Sequence, residues 1–378
     1  MVARVGVPLL IIVGALYTYF NAASYWTRFH GLSLAFAFLA YVAVMARGRL
    51  RDAAVIAASL SLGLAAVEGY FVLHYRTAID TNTPGYSIYN PVLGWGPAHA
   101  GVYHHHKVDL KTGQVIVDTD YTIDEHLLRK VESATDAPTV AIGGGSNVFG
   151  SGIPDSATLP QALADSVGRR LHVVNLAFSG YGAQQYLRIL ETAVHDDVLK
   201  RMRAFVFVSI PEYPERAACM RGYTLAGPSY ELVDGEVKFV GSCADRWALP
   251  LRWLFEITSL YDIVAPRFDN KTVRQKIDLY IAMLVRAGQL ARAKYGAPTV
   301  ILYVPNADYA RRGGYTDDEL IGRLRAGGLV VLDGALDQAA FPGQDLFIPG
   351  DGHPTAVANR ELAARLVKGL SGIVSLEP

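Results

Sequence analysis

Charge of one sign is not in surplus in this chain. Its 35 Lys and Arg stand against 35 Asp and Glu, for a formal net charge of zero over 378 residues. That balance lacks the basic field a nucleic-acid partner requires and gives no pull toward an acidic one. Internal repeats and low-complexity tracts are also missing, which leaves no sign of a solenoid or array. Cysteine is scarce. Only Cys219 and Cys243 occur, so one disulfide is the most the chain can form. They flank Tyr230-Glu231-Leu232-Val233, the turn pair Asp234-Gly235, and a second strand-like run from Glu236 to Val240. Asp-Gly between two such runs is a two-residue hairpin signal. The hairpin can bring the two cysteines together, and a bridge fits an oxidising compartment.

Hydrophobic residues, by contrast, are plentiful at 51%, and the excess sits in the first 75 residues. Three apolar stretches stand there, at about 5–20, 32–46 and 53–73. A bilayer core takes roughly 20 apolar residues per helix. The third stretch meets this. The first is short, but Tyr17, Tyr19, Tyr25 and Trp26 read as an interfacial aromatic belt that lengthens it. Arg47, Arg49 and Arg51 crowd the second loop and hold it in the cytoplasm by the positive-inside rule. The third helix then delivers everything after Tyr75 to the other side, whether or not the first segment is a cleaved signal peptide. Glu68 falls inside the third stretch, where a carboxylate is a functional candidate. Its place one turn from the interface gives it access to water.

Residues 76–135 are rich in turns and form an extension, with a hairpin expected around Lys111-Thr112-Gly113. The run His104-His105-His106 suggests metal binding. Adjacent residues of a strand point to opposite faces, so the three cannot all ligate one ion, and no metal site is expected. From residue 136 to the end the rhythm changes. Thr139-Val140-Ala141-Ile142, His172-Val173-Val174-Asn175-Leu176, Phe205-Val206-Phe207-Val208, Thr299-Val300-Ile301-Leu302-Tyr303-Val304 and Leu329-Val330-Val331-Leu332 are short β-branched runs separated by helical patterns. Strands alternating with helices make βαβ units and a five-stranded parallel sheet. Ligands of such sheets bind beyond the carboxyl ends of the strands. An insertion at about 217–270 interrupts the pattern. Its Trp247-Ala248-Leu249-Pro250-Leu251-Arg252-Trp253-Leu254-Phe255 can serve as a lid, rest on a membrane, or pack on the sheet.

Three glycine-rich segments follow the strands at the expected places. They are Gly143-Gly144-Gly145-Ser146-Asn147-Val148-Phe149-Gly150, Ala177-Phe178-Ser179-Gly180-Tyr181-Gly182 and Pro349-Gly350-Asp351-Gly352-His353-Pro354. Each alone is a loop. Together they supply a hydroxyl, an imidazole and a carboxylate. A serine hydroxyl needs a base to attack a carbonyl. Histidine is that base near neutral pH, and a carboxylate orients it and stabilises its cation. Backbone N–H groups at Ser146 and Gly180 are available for an oxyanion.

The segment Gly144-Gly145-Ser146-Asn147-Val148-Phe149-Gly150 resembles the first block of SGNH (GDSL-type) hydrolases. Val174-Asn175-Leu176-Ala177-Phe178-Ser179-Gly180-Tyr181-Gly182-Ala183-Gln184-Gln185 resembles the second block, and Asp351-Gly352-His353-Pro354 the last. The likeness covers roughly residues 138–370, and the apolar N-terminus resembles a bacterial membrane-tethered branch. The resemblance implies an α/β chain with the flavodoxin-like, three-layer SGNH hydrolase fold and a parallel five-stranded sheet, preceded by N-terminal transmembrane helices. It also implies a triad of Ser146, His353 and Asp351, and an oxyanion hole from Ser146 and Gly180. No cofactor is implied. Three features depart from the family pattern. Gly145 replaces the usual Asp, the final block is Asp-x-His rather than Asp-x-x-His, and the block-three Asn is absent from Ser209-Ile210-Pro211-Glu212-Tyr213-Pro214-Glu215-Arg216. Asn147 or Tyr213 is then the candidate for its donor role.

The expected function is an extracytoplasmic serine esterase of the bacterial inner membrane. Its partners would be the lipid bilayer and an acyl-ester substrate such as an O-acetylated polysaccharide. A polysaccharide O-acyltransferase would use the same triad. A non-catalytic binding module of an envelope machine is the reading that the missing Asn favours.

Overall fold

The computed structural model of the protein describes residues 6, 9–14, 25–75 and 77–376. The first apolar stretch, with Tyr17 and Tyr19, lies largely outside them. Helix α1 spans Tyr25–Met45 and helix α2 spans Arg49–Tyr75. Both are long and apolar enough to cross a membrane. Tyr25 and Trp26 thus open α1 rather than extend the first stretch, and Arg49 and Arg51 sit in the first turn of α2. The two helices pack against each other, and Ser61 donates to the Leu32 carbonyl at 2.8 Å.

The chain divides into two compact units, one of residues 1–81, 108–114 and 247–267 and the other of 82–107, 115–246 and 268–378. Within the first unit Glu68 is fully buried. Its carboxylate accepts hydrogen bonds from the Ser259 backbone N–H and, at 2.9 Å, from the Ser259 hydroxyl. A protein partner therefore replaces the water expected from its position. Ser259 precedes the short helix Leu260–Val264 and follows the helix Leu249–Ile257, on which Leu249 and Trp253 stay exposed. Trp247, Phe255 and Tyr261 meet edge to face beside them. The apolar part of the insertion thus belongs to the unit that holds α1 and α2.

The second unit opens with the hairpin β1 (Ile88–Asn90) and β2 (Gly94–Gly96), followed by the neighbouring strands β3 (Gly101–Asp109) and β4 (Val115–Ile123). Period-two alternation is clear on β3. Tyr103 and His105 are buried, while His104 between them is exposed. The main sheet contains β5 (Thr139–Gly143), β6 (His172–Asn175), β7 (Met202–Ser209), β10 (Thr299–Tyr303) and β11 (Val330–Asp333). All its pairings are parallel, in the order β11-β10-β7-β5-β6. Numbered along the chain that is 5-4-3-1-2, the flavodoxin-like order. It places a switch point at β5, where one connection leaves toward β6 and the next toward β7. Every residue of β5 and of β10 is buried, as strands covered on both faces must be.

Helices supply the two outer layers. The short turn after β5 is α3 (Ser146–Phe149), followed by α4 (Leu159–Ser166), α5 (Ala183–Thr192) and α6 (Tyr213–Ala217). The chain later forms α7 (Val273–Tyr295), α8 (Asp317–Ala326) and α9 (Ala356–Ser371). Helix α4 packs on α9, and α5 on α7. The expected hairpin is present as β8 (Pro228–Val233) and β9 (Glu236–Ser242), turning at Asp234 and Gly235, which both adopt positive φ. Cys219 and Cys243 are joined in a disulfide with their Cα atoms 5.5 Å apart and a sequence separation of 24. Closing a loop of that size stabilises a fold by about 3 kcal/mol in the chain-entropy picture.

Candidate active site

Strand β5 ends at Gly143, and the chain turns sharply into α3. There is no room for side chains in this turn. A Cβ on Gly145 would lie 2.7 Å from Arg216 Nη1 and 2.8 Å from the Tyr181 carbonyl. Arg216 donates to that same carbonyl at 2.9 Å. A buried guanidinium thus fills the space that a side chain at position 145 would need. The Gly145 N–H donates to the Tyr213 hydroxyl at 2.6 Å. Tyr213 is completely buried, and burial raises its phenol to about 12. Its oxygen accepts from the backbone of the turn and has no access to solvent. Ser146 and Asn147 are half-buried. Among the described residues the Asn147 side chain makes no hydrogen bond, and the N–H groups of Ser146 and Asn147 are likewise unspent.

The second loop follows β6. Asn175 is buried and links the loops, accepting from Ala177 N–H at 3.1 Å and donating to the Val148 carbonyl at 3.3 Å. The Ser151 and Ser179 hydroxyls meet at 2.9 Å, and Tyr86 joins Ser179 at 2.8 Å. Gly180 has φ +84°, and a Cβ there would stand 3.1 Å from Trp95 and 3.4 Å from Tyr223. Trp95, on β2, donates through Nε1 to the Ser179 carbonyl at 2.8 Å. The Gly180 N–H, like that of Ser146, has no partner among the described residues.

Asp351 and His353 occupy a tight turn before α9. The backbone N–H groups of Asp351 and Gly352 both donate to the Ile348 carbonyl, at 3.0 and 2.8 Å. Asp351 Oδ1 takes the His353 backbone N–H at 3.2 Å and forms a short hydrogen bond with His353 Nδ1. Its other oxygen receives Lys107 Nζ from β3 at 2.5 Å. The Asp351 side chain is only 3% exposed. Burial opposes its charge, yet the bonds from His353 and Lys107 outweigh that and hold the carboxyl well below the usual carboxylate range. A charged Asp351 puts the imidazole proton on Nδ1 and leaves Nε2 as a lone pair, the arrangement a general base needs. No hydrogen bond joins His353 to Ser146 Oγ here. Asp351 Oδ1 lies 3.7 Å from the point a Cβ on Gly152 would occupy, close after α3.

Two residues that frame this site carry no local signal in the sequence. Arg129 is 1% exposed. It ion-pairs with Asp155 at 2.9 Å and donates to the carbonyls of Phe149, Gly150 and Ile153 at 2.6–2.8 Å, clasping the segment that leaves α3. Its guanidinium also lies over the rings of Tyr121 and Phe149. Lys107 is the other. Strand alternation puts it on the inward face of β3 with Tyr103 and His105, but its partner is 244 residues away.

The Lys107 contact yields a prediction. Asp351's depressed ionisation contributes stability above the unfolded carboxyl value, about 3.9, and loses it only as pH falls through the lower folded value. Lys107→Met removes one offset to burial, so the folded value rises. Acid inactivation should begin at higher pH than in the wild type, and kcat should fall about tenfold as the carboxylate loses its anchor. Residual activity after incubation across an acid pH series checks this.

No protein-family profile matches the sequence, and no curated protein matches it. Solved structures do. The chain resembles SGNH-type esterases. The psychrotrophic esterase EstA from a Pseudoalteromonas species is 13% identical over 62% of this chain and 97% of its own, with a TM-score of 0.35. A carbohydrate acetylesterase family member from Sinorhizobium meliloti is 16% identical over 62% and 99%, with a TM-score of 0.33. AlinE4, an SGNH-hydrolase family esterase, is 14% identical over 64% and 98%, with a TM-score of 0.32.

Proposed function

We propose that the chain is a membrane-anchored serine esterase, with Ser146 as nucleophile, His353 as general base and Asp351 as its orienting carboxylate. The hydrogen bond between a charged, buried Asp351 and His353 Nδ1 carries this reading, because it prepares Nε2 to take a proton from a hydroxyl. In the first step Nε2 accepts the Ser146 proton while Oγ adds to the ester carbonyl. The N–H groups of Ser146 and Gly180 hold the oxyanion, and the Asn147 amide is the third donor at hand. His353 returns the proton to the leaving alcohol, and an acyl-serine remains. Water, activated by the same imidazole, then releases the acid. Acyl esters, with O-acetyl groups on an extracytoplasmic polysaccharide foremost, are the substrates we assign. The arginines at 47, 49 and 51 and the two long apolar helices support that location.

A fluorophosphonate probe tests the chemistry. Wild type should be labelled and Ser146→Ala should not. Equal labelling, or none of either, ends the esterase reading. Topology is tested separately with a reporter after the last residue, which should be active only outside the cytoplasm. A C-terminal fusion that works only inside the cytoplasm overturns the location.

A further inference from the structure

The histidine run of β3 is divided by the strand. His105 turns inward, and its Nδ1 bonds to the buried Tyr121 hydroxyl. His104 and His106 share the outer face, where their rings lie nearly parallel with centroids 6.3 Å apart. Asp118 and Asp120 face them from β4. His104 Nε2 lies 3.1 Å and His106 Nδ1 3.9 Å from the same oxygen, Asp118 Oδ1. The three donor atoms all fall within 4.8 Å of one another.

We infer that His104, His106 and Asp118 form a binding site for one divalent transition-metal ion of zinc's class. The separations suit such an ion. Bonds of about 2.0–2.1 Å in tetrahedral geometry set donor atoms roughly 3.4 Å apart, which small side-chain rotations achieve here. Two imidazole nitrogens and one carboxylate oxygen select zinc and its neighbours over calcium or magnesium, which take oxygen ligands. The surroundings of His104 are the stronger argument. Its Nδ1 lies 2.8 Å from Asp120 Oδ1 while its Nε2 faces Asp118. A neutral imidazole donates to only one of these carboxylates. With the proton on Nδ1, the Nε2 lone pair points at an anionic oxygen, and a cation between them removes the repulsion. Asp120 then acts as the outer partner that fixes the ring's tautomer. The ion would fasten β3 to β4, and water would complete its coordination from the solvent side.

The full chain, purified in detergent with a tag free of histidine and stripped with chelator, tests this. Calorimetry with Zn²⁺ should give one ion per chain, and Co²⁺ should give a visible absorption band that one equivalent of Zn²⁺ bleaches. The His104→Ala/His106→Ala double variant should lose both signals. Asp120→Asn should weaken Zn²⁺ binding about 10- to 100-fold. Zn²⁺ should raise the unfolding temperature of the wild type and leave that of the double variant unchanged, while the two unfold alike without metal. Equal Zn²⁺ uptake by wild type and double variant, or none by wild type at millimolar Zn²⁺, overturns the site and leaves ordinary histidinium–carboxylate pairs.

Discussion

Ser146→Ala should lower ester hydrolysis by roughly 10⁴- to 10⁶-fold, with no measurable loss of stability. The hydroxyl makes no hydrogen bond within the described structure, and its residue is half-buried, so removing it costs the fold little. In the proposed mechanism, however, catalysis loses the atom that carries the acyl group. His353→Ala should come within a small factor of the same loss, because nucleophile and base act as a unit. Asp351→Asn should cost less than either, since the carboxylate orients and stabilises without forming a bond to substrate. Asp351, held ionised well below the usual carboxylate range, should add no step to the pH profile within that range. The measurement is kcat/KM on a small acyl ester for all four proteins. A Ser146→Ala variant as active as wild type would refute the mechanism.

Arg129→Met should destabilise the second unit by about 3–5 kcal/mol, the scale on which buried ion pairs respond when one partner is removed. The substitution keeps the apolar bulk between Tyr121 and Phe149. It leaves Asp155 without its cation and three backbone carbonyls without a donor. Those carbonyls belong to the segment that leaves α3, where the proposed nucleophile sits, so activity should fall together with stability. Denaturant unfolding gives the first effect, and kcat at a temperature where the variant is still folded gives the second. A variant that unfolds at the wild-type denaturant midpoint would show that the four contacts of Arg129 carry little energy.

Local pattern was the readable part of this chain. The five β-branched runs fall on the five sheet strands within a few residues, because strands buried on both faces must be continuously apolar. Asp234-Gly235 marked its hairpin because both residues tolerate the positive φ such a turn imposes. The pairing of Cys219 with Cys243 followed from that hairpin. Contacts between residues distant in sequence left no such trace. Lys107 reaches Asp351 across 244 positions, and Glu68 reaches Ser259 across 191. Neither residue has a local periodicity that names its partner. Tyr213 was read from its donor chemistry alone, and only its burial shows that the hydroxyl supports the loop. The grouping of residues 247–267 with the apolar helices was equally invisible, since Trp and Phe clusters look the same whether they cover a sheet or accompany a helix pair.

The packing around Gly145 also limits how this sequence can change over generations. Gly145→Asp would restore the familiar motif, but the new Cβ meets Arg216 Nη1, the Tyr181 carbonyl and, at 3.0 Å, the Tyr213 hydroxyl. Shortening Arg216 first strips the Tyr181 carbonyl of its donor; inserting Asp first forces the turn open. Each single step is damaging, and even the double change must still move the backbone at Tyr181. A side chain at position 145 and the Arg216 guanidinium therefore compete for one space, and the two positions can change only together.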